Sequence, residues 1–92
     1  MASRAGGHFV YVRDGDLVVE WYDHGEAAAY ESANLIVLGP EDQQRLAASL
    51  GALNMTQALA DAVVARFGSY WDVKDFLEQN RIGFRGETDF MP

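Results

Sequence analysis

Asp14-Gly15 stands between two runs of β-branched and aromatic residues, His8 to Arg13 and Asp16 to Asp23, and leaves this part of the chain few choices. A tight type I′ turn needs positive φ at both central residues, which Gly adopts freely and Asp tolerates. A two-residue loop also sets the register. It places Arg13 opposite Asp16, Val12 opposite Leu17, Tyr11 opposite Val18, Val10 opposite Val19, Phe9 opposite Glu20 and His8 opposite Trp21. Side chains alternate along a strand, so one face carries Val10, Val12, Leu17, Val19 and Trp21. The other carries Phe9, Tyr11, Val18 and Tyr22 among Arg13, Asp16 and Glu20. The first set is a core face. The second is too aromatic for a plain solvated surface, and predicts cover from the chain's own helices, self-association or contact with a different partner.

Beyond the hairpin, His24-Gly25 predicts a second tight turn, and residues 26–31 read as a strand that would set Ala28 and Tyr30 beside Trp21 and Val19. Ser32-Ala33-Asn34 then reads as a turn or bulge into the apolar run Leu35-Ile36-Val37-Leu38. Gly39-Pro40 ends that strand and opens a helix, with Glu41 and Asp42 suited to the positive end of its dipole. Leu46, Ala47 and Leu50 form its apolar stripe, and Gly51 stops it as a left-handed cap. A second helix starts at a cap of Asn54 or Thr56 and carries Met55, Leu59, Val63 and Phe67, flanked by Ala60 and Val64. Ser69 opens a third, with Val73, Phe76 and Leu77 as its buried stripe and Asn80 as its left-handed end.

The expected architecture is therefore α+β: an antiparallel β-meander over residues 8–38, followed by three short helices packed on one sheet face. Residues 1–7 and 86–92 read as flexible tails on a single domain spanning 8–85, with room for a last short strand near 82–85. The chain has 92 residues and no cysteine, so disulfides, thiolate metal sites and cysteine nucleophiles are excluded, and the 49% apolar content must supply the core unaided. No apolar run approaches the roughly 20 residues that a membrane helix needs, and the opening segment lacks the apolar stretch of a secretory signal. A cytoplasmic protein that does not act at a membrane is the default expectation.

Net charge is −7 and unevenly placed: Asp14, Asp16, Glu20, Asp23, Glu26, Glu31, Glu41 and Asp42 follow one another with no Lys or Arg between them. Such a field repels phosphates, which argues against direct nucleic-acid binding and favours a basic partner surface. Catalytic and ligand-binding patterns are weak. Asp23, His24 and Ser32 supply the residue types of a hydrolytic triad without its spacing or a nucleophile elbow. His8, Asp23 and His24 lack metal-ligand spacing, the acids at 14, 16 and 20 do not match a calcium loop, and no phosphate-binding glycine motif occurs. No cofactor or metal is expected.

These features point to a small non-enzymatic interaction module, regulatory or inhibitory, that binds a protein. Phe9, Tyr11 and Tyr22 would supply apolar area, while Asp16 and Glu20 orient a basic partner, unless the partner is a second copy in a homodimer. Two alternatives come from other classes. One is a nucleic-acid mimic that occupies a DNA- or RNA-binding protein. The other is a small-molecule pocket, or small enzyme, between sheet and helices around Trp21, Tyr70 and Trp71.

Overall fold

The computed structural model describes the backbone of residues 6–23 and 31–91 and the side chains of residues 8–21 and 34–88. Strands β1 (Gly6–Arg13), β2 (Asp16–Asp23) and β3 (Glu31–Leu38) are followed by helices α1 (Pro40–Leu50), α2 (Thr56–Arg66) and α3 (Tyr70–Gln79), and then by β4 (Arg85–Met91). The sheet is antiparallel throughout in the order β1-β2-β3-β4, so all three helices form the connection between two neighbouring strands. The fold is α+β, with the helices on one face of the sheet.

The hairpin follows the sequence closely. Asp14 and Gly15 both have positive φ, 52° and 83°, and every pair from Arg13↔Asp16 to His8↔Trp21 stands in the expected register. Leu17, Val19, Ile36 and Leu38 meet Leu46, Leu59, Val63, Tyr70, Val73 and Leu77 in the main core, with Val10 and Trp21 packed at its margin. Val12, on the same face, is at the sheet edge and keeps 39% of its surface exposed.

Several local expectations are corrected. Ser32, Ala33 and Asn34 are strand residues within β3, paired with Asp23, Tyr22 and Trp21, so no turn or bulge lies there. The partners of Trp21 and Val19 are Asn34 and Ile36, not Ala28 and Tyr30, because β3 itself fills the place beside β2. The proposed turn at His24-Gly25 and most of the strand over 26–31 fall outside the described residues. At the other end, the segment from Gly86 is not a tail: it runs in β4 against β3, with Leu35 opposite Glu87 and Val37 opposite Arg85.

The helix ends show the same mixture. Ser69 accepts a hydrogen bond from the Asp72 N–H as a cap should (3.2 Å). Gly51 is left-handed at φ 66°, and the Ala52 N–H returns to the Ala47 carbonyl. Neither Asn54 nor Thr56 caps α2: Met55 holds the cap position, extended, and the Thr56 hydroxyl bonds Gln43. Met55 therefore precedes the first turn and is 64% exposed, and Val64, roughly 100° around the helix from Val63, is 60% exposed. Past α3 the left-handed residue is Arg81 (φ 57°), while Asn80 has φ −95°. This position lets the Ile82 N–H reach the Leu77 carbonyl and the Arg81 N–H the Glu78 carbonyl, a Schellman closure that also buries Ile82 near Leu77.

One buried polar side chain ties the layers together. Gln43 of α1 donates from Nε2 to the carbonyls of Gly15 (2.9 Å) and Leu38 (2.8 Å), and its Oε1 accepts from the Thr56 hydroxyl (2.8 Å). The hairpin turn, the end of β3 and the start of α2 thus meet on a single amide.

Candidate functional site: the outer face of the sheet

Among the residues whose side chains are described, the sheet face away from the helices is built from three rows. Phe9, Glu20, Leu35 and Glu87 form one, Tyr11, Val18, Val37 and Arg85 the next, and Arg13 with Asp16 the last. Val18, Leu35 and Val37 are β-branched or apolar residues of central strands and are 0%, 3% and 1% exposed, although among the described residues no helix packs on them. Among the described residues, side chains of the outer strands border them. Tyr11 packs on them and donates its hydroxyl to Glu20 Oε1 (2.9 Å). Arg13 of β1 reaches Glu87 of β4 across both central strands, 3.3 Å from each carboxylate oxygen, on a diagonal over Val18 and Val37. Arg85 bonds the same carboxylate through Nε (3.0 Å) and pairs with Asp16 (3.6 Å). Long side chains whose aliphatic stems can lie on apolar surface while their charged ends stay in water suit such a position.

This network resets the electrostatics expected of the acidic run. Arg13 and Arg85 lie outside that run in sequence, yet the register sets them among Asp16, Glu20 and Glu87. The hydrogen bond from Arg85, aided by Arg13, holds the Glu87 carboxyl below its ordinary range, and the bond to Glu87 raises Arg13 in turn. Such exposed pairs contribute little to stability. Their consequence is that Asp16 already has a cation and Glu20 a hydroxyl.

Of the candidate contact residues, Phe9, Tyr11, Asp16 and Glu20 share this face. Phe9 is 53% exposed, so the chain's helices do not cover it. Tyr22 pairs with Gly7 and Ala33 in the ladder, and its side chain lies outside the described residues. Arg85 and Glu87 were not legible as members of this site. The only hint was the weak alternation in Arg85-Gly86-Glu87-Thr88, which carries no β-branched run to mark a strand.

The other candidates come apart or fill up. Asp23 and Ser32 face each other in the ladder, whereas His24 falls outside the described residues. His8 lies across from Trp21, and burial lowers its pKa against the opposing pull of Asp72. Among the described residues no three His, Cys, Asp or Glu side chains gather as a metal site would require. Trp21, Trp71 and Tyr70 are in mutual contact, with centroids 5.1 Å apart for Trp21–Trp71, 5.0 Å for Tyr70–Trp71 and 6.3 Å for Trp21–Tyr70. Those separations are ring-on-ring packing, with Lys74 Nζ 5.7 Å over Trp71. Among the described residues no helix is long and apolar enough to cross a membrane. No protein-family model, curated protein or solved structure matches the sequence.

Proposed function

We propose that this protein is a small interaction module, a binder and not a catalyst, whose outer sheet face docks another protein around Phe9 and Tyr11, with Tyr22 further along the same hairpin. The observation that carries this reading is the 53% exposure of Phe9 on a face that the helices leave open. A large ring in water beside a half-buried tyrosine is the usual material of an interface core. Asp16 and Glu20 border it, but their engagement by Arg85 and Tyr11 makes apolar contact the leading contribution and charge a matter of orientation. The interleaved arginines also speak against a nucleic-acid mimic, which needs unpaired carboxylates in series. Contact among Trp21, Tyr70 and Trp71 gives a small-molecule site there no support.

The test is site-specific photo-crosslinking in the cell of origin from a photoreactive phenylalanine analogue at position 9, with Ser49 on the exposed side of α1 as control. One discrete foreign protein, beside any second copy of the chain, should be captured from position 9 and not from position 49. That protein, purified, should bind the wild-type chain and bind Phe9→Lys at least tenfold more weakly. Identical adducts from both positions, adducts made only of two copies of the chain, or binding unaffected by Phe9→Lys would refute the reading.

A further inference from the structure

The strand that carries Phe9 is an edge strand, and among the described residues no strand pairs with its outer side. In a two-residue hairpin Arg13 and Asp16 form a hydrogen-bonded pair, and such pairs alternate along the ladder. His8, Val10 and Val12 therefore aim their N–H and C=O groups away from β2. Among the described residues no bond outside the ladder engages them. Edges that end in water are ordinarily defended by charge, and β4 is: it carries Arg85 and Glu87. From Gly6 to Val12, β1 has no Lys, Arg, Asp or Glu. It exposes a large apolar side chain on each sheet face instead, Phe9 (53%) and Val12 (39%).

We propose that a second copy of the chain occupies this edge, its β1 running antiparallel to the first about a two-fold axis at Val10. The inference goes beyond the docking reading of the outer face and does not depend on it. The register follows from the strand itself. Outward-facing groups recur at every second residue, so only two-fold axes that preserve this alternation are allowed, and the longest overlaps centre on Phe9 or on Val10. Centring on Phe9 sets Tyr11 and Val12 against Gly7 and Gly6 of the other copy, which covers little.

Centring on Val10 opposes Val10 to Val10, Val12 to His8, and Phe9 to Tyr11 twice. Every exposed apolar side chain of the strand then gains an apolar or aromatic neighbour, worth most in cross-strand aromatic pairs. Arg13 falls opposite Gly7, whose lack of a side chain leaves the Arg13–Glu87 bridge undisturbed. The contact is isologous and closes, joining two four-stranded sheets into one continuous sheet. Each copy carries −7, so the two repel at long range, and added salt should tighten the dimer by screening that repulsion.

Sedimentation equilibrium of the purified protein from about 5 to 200 μM, the range suited to a small interface, should show the 10.2 kDa chain passing to twice its mass. The apparent Kd should fall on going from low to moderate salt. Phe9→Lys, at an exposed position, should raise it at least tenfold while leaving the circular dichroism spectrum unchanged. Because the chain has no cysteine, the register is read separately. Phe9→Cys mixed with Tyr11→Cys should form a disulfide-linked dimer under mild oxidation faster than either variant alone. A monomer throughout, a dimer insensitive to Phe9→Lys, or faster linkage in Phe9→Cys alone would overturn the proposal. Failure of the photo-crosslinking with foreign proteins would leave these results untouched.

Discussion

Replacing Gln43 by Met tests the claim that one buried amide joins hairpin, β3 and α2. Methionine is close in volume and flexible, so the change removes hydrogen bonds while opening little cavity. Gln43 is 4% exposed, and its bond to the Leu38 carbonyl is buried, whereas those with Gly15 and Thr56 are partly so. Leaving the Leu38 carbonyl without a donor costs about 1–3 kcal/mol. The two partly buried groups can turn to water and cost about 0.5–1 kcal/mol each by the same reasoning. A loss of roughly 2–5 kcal/mol is expected, a large share of the roughly 5–14 kcal/mol of a domain this size. At about 4–8 °C per kcal/mol, Tm should fall by ~8–40 °C.

Urea unfolding followed by far-UV circular dichroism measures the loss directly, and a double-mutant cycle with Thr56→Val isolates one bond. Thr56→Val should cost about 1 kcal/mol in the wild type and close to nothing beside Gln43→Met. Gln43→Glu adds a sign. A carboxylate there cannot donate to two carbonyls, and burial favours its neutral form, so its folded pKa lies above the unfolded value. The variant should therefore be most stable below the unfolded pKa and lose stability as pH rises through the folded one. A Gln43→Met variant within 0.5 kcal/mol of wild type, or Gln43 and Thr56 effects that simply add, would refute the reasoning.

Arg81 sits at φ 57°, where a Cβ is strained, so Arg81→Gly should raise stability by up to about 1 kcal/mol after the entropic cost of glycine. Arg81→Ala keeps the Cβ and should gain nothing; equal urea midpoints for the two would count against strain at this residue. His8 Nδ1 is buried without a hydrogen-bond partner among the described residues, and burial lowers its pKa below 6.5. Charging it opposes folding, so its contribution is intact above pH 6.5 and is lost as pH falls from there through the depressed folded value. Unfolding measured across about pH 5–7 should then show a shallower dependence on pH in His8→Gln than in wild type, and parallel slopes would contradict it.

The hairpin was legible because its determinants are local: Asp14-Gly15 can form the turn, and the turn dictates the pairing of its neighbours. The three helices were legible for a similar reason, since their apolar repeats and the glycine and serine at their ends act within a few residues. What was hidden depends on contacts between distant segments. β4 has no pattern of its own to announce it, because an edge strand can be charged on one face and draw its conformation from the ladder with β3. Asn80 has the chemistry for a left-handed cap, but the choice between it and Arg81 was made by where Ile82 must go to be buried.

The outer face shows the same limit acting on function. Read in order, the acids from Asp14 to Asp42 look like one unopposed field. In space β4 delivers Arg85 to Asp16, and Arg13, one residue before the run begins, crosses the sheet to Glu87. Charge order along a chain predicts a surface only when no strand returns beside it. The two-face sorting of the hairpin survives folding because alternation is a backbone property. For that reason the proposed docking face rests on the exposed ring of Phe9, and not on the count of acids around it.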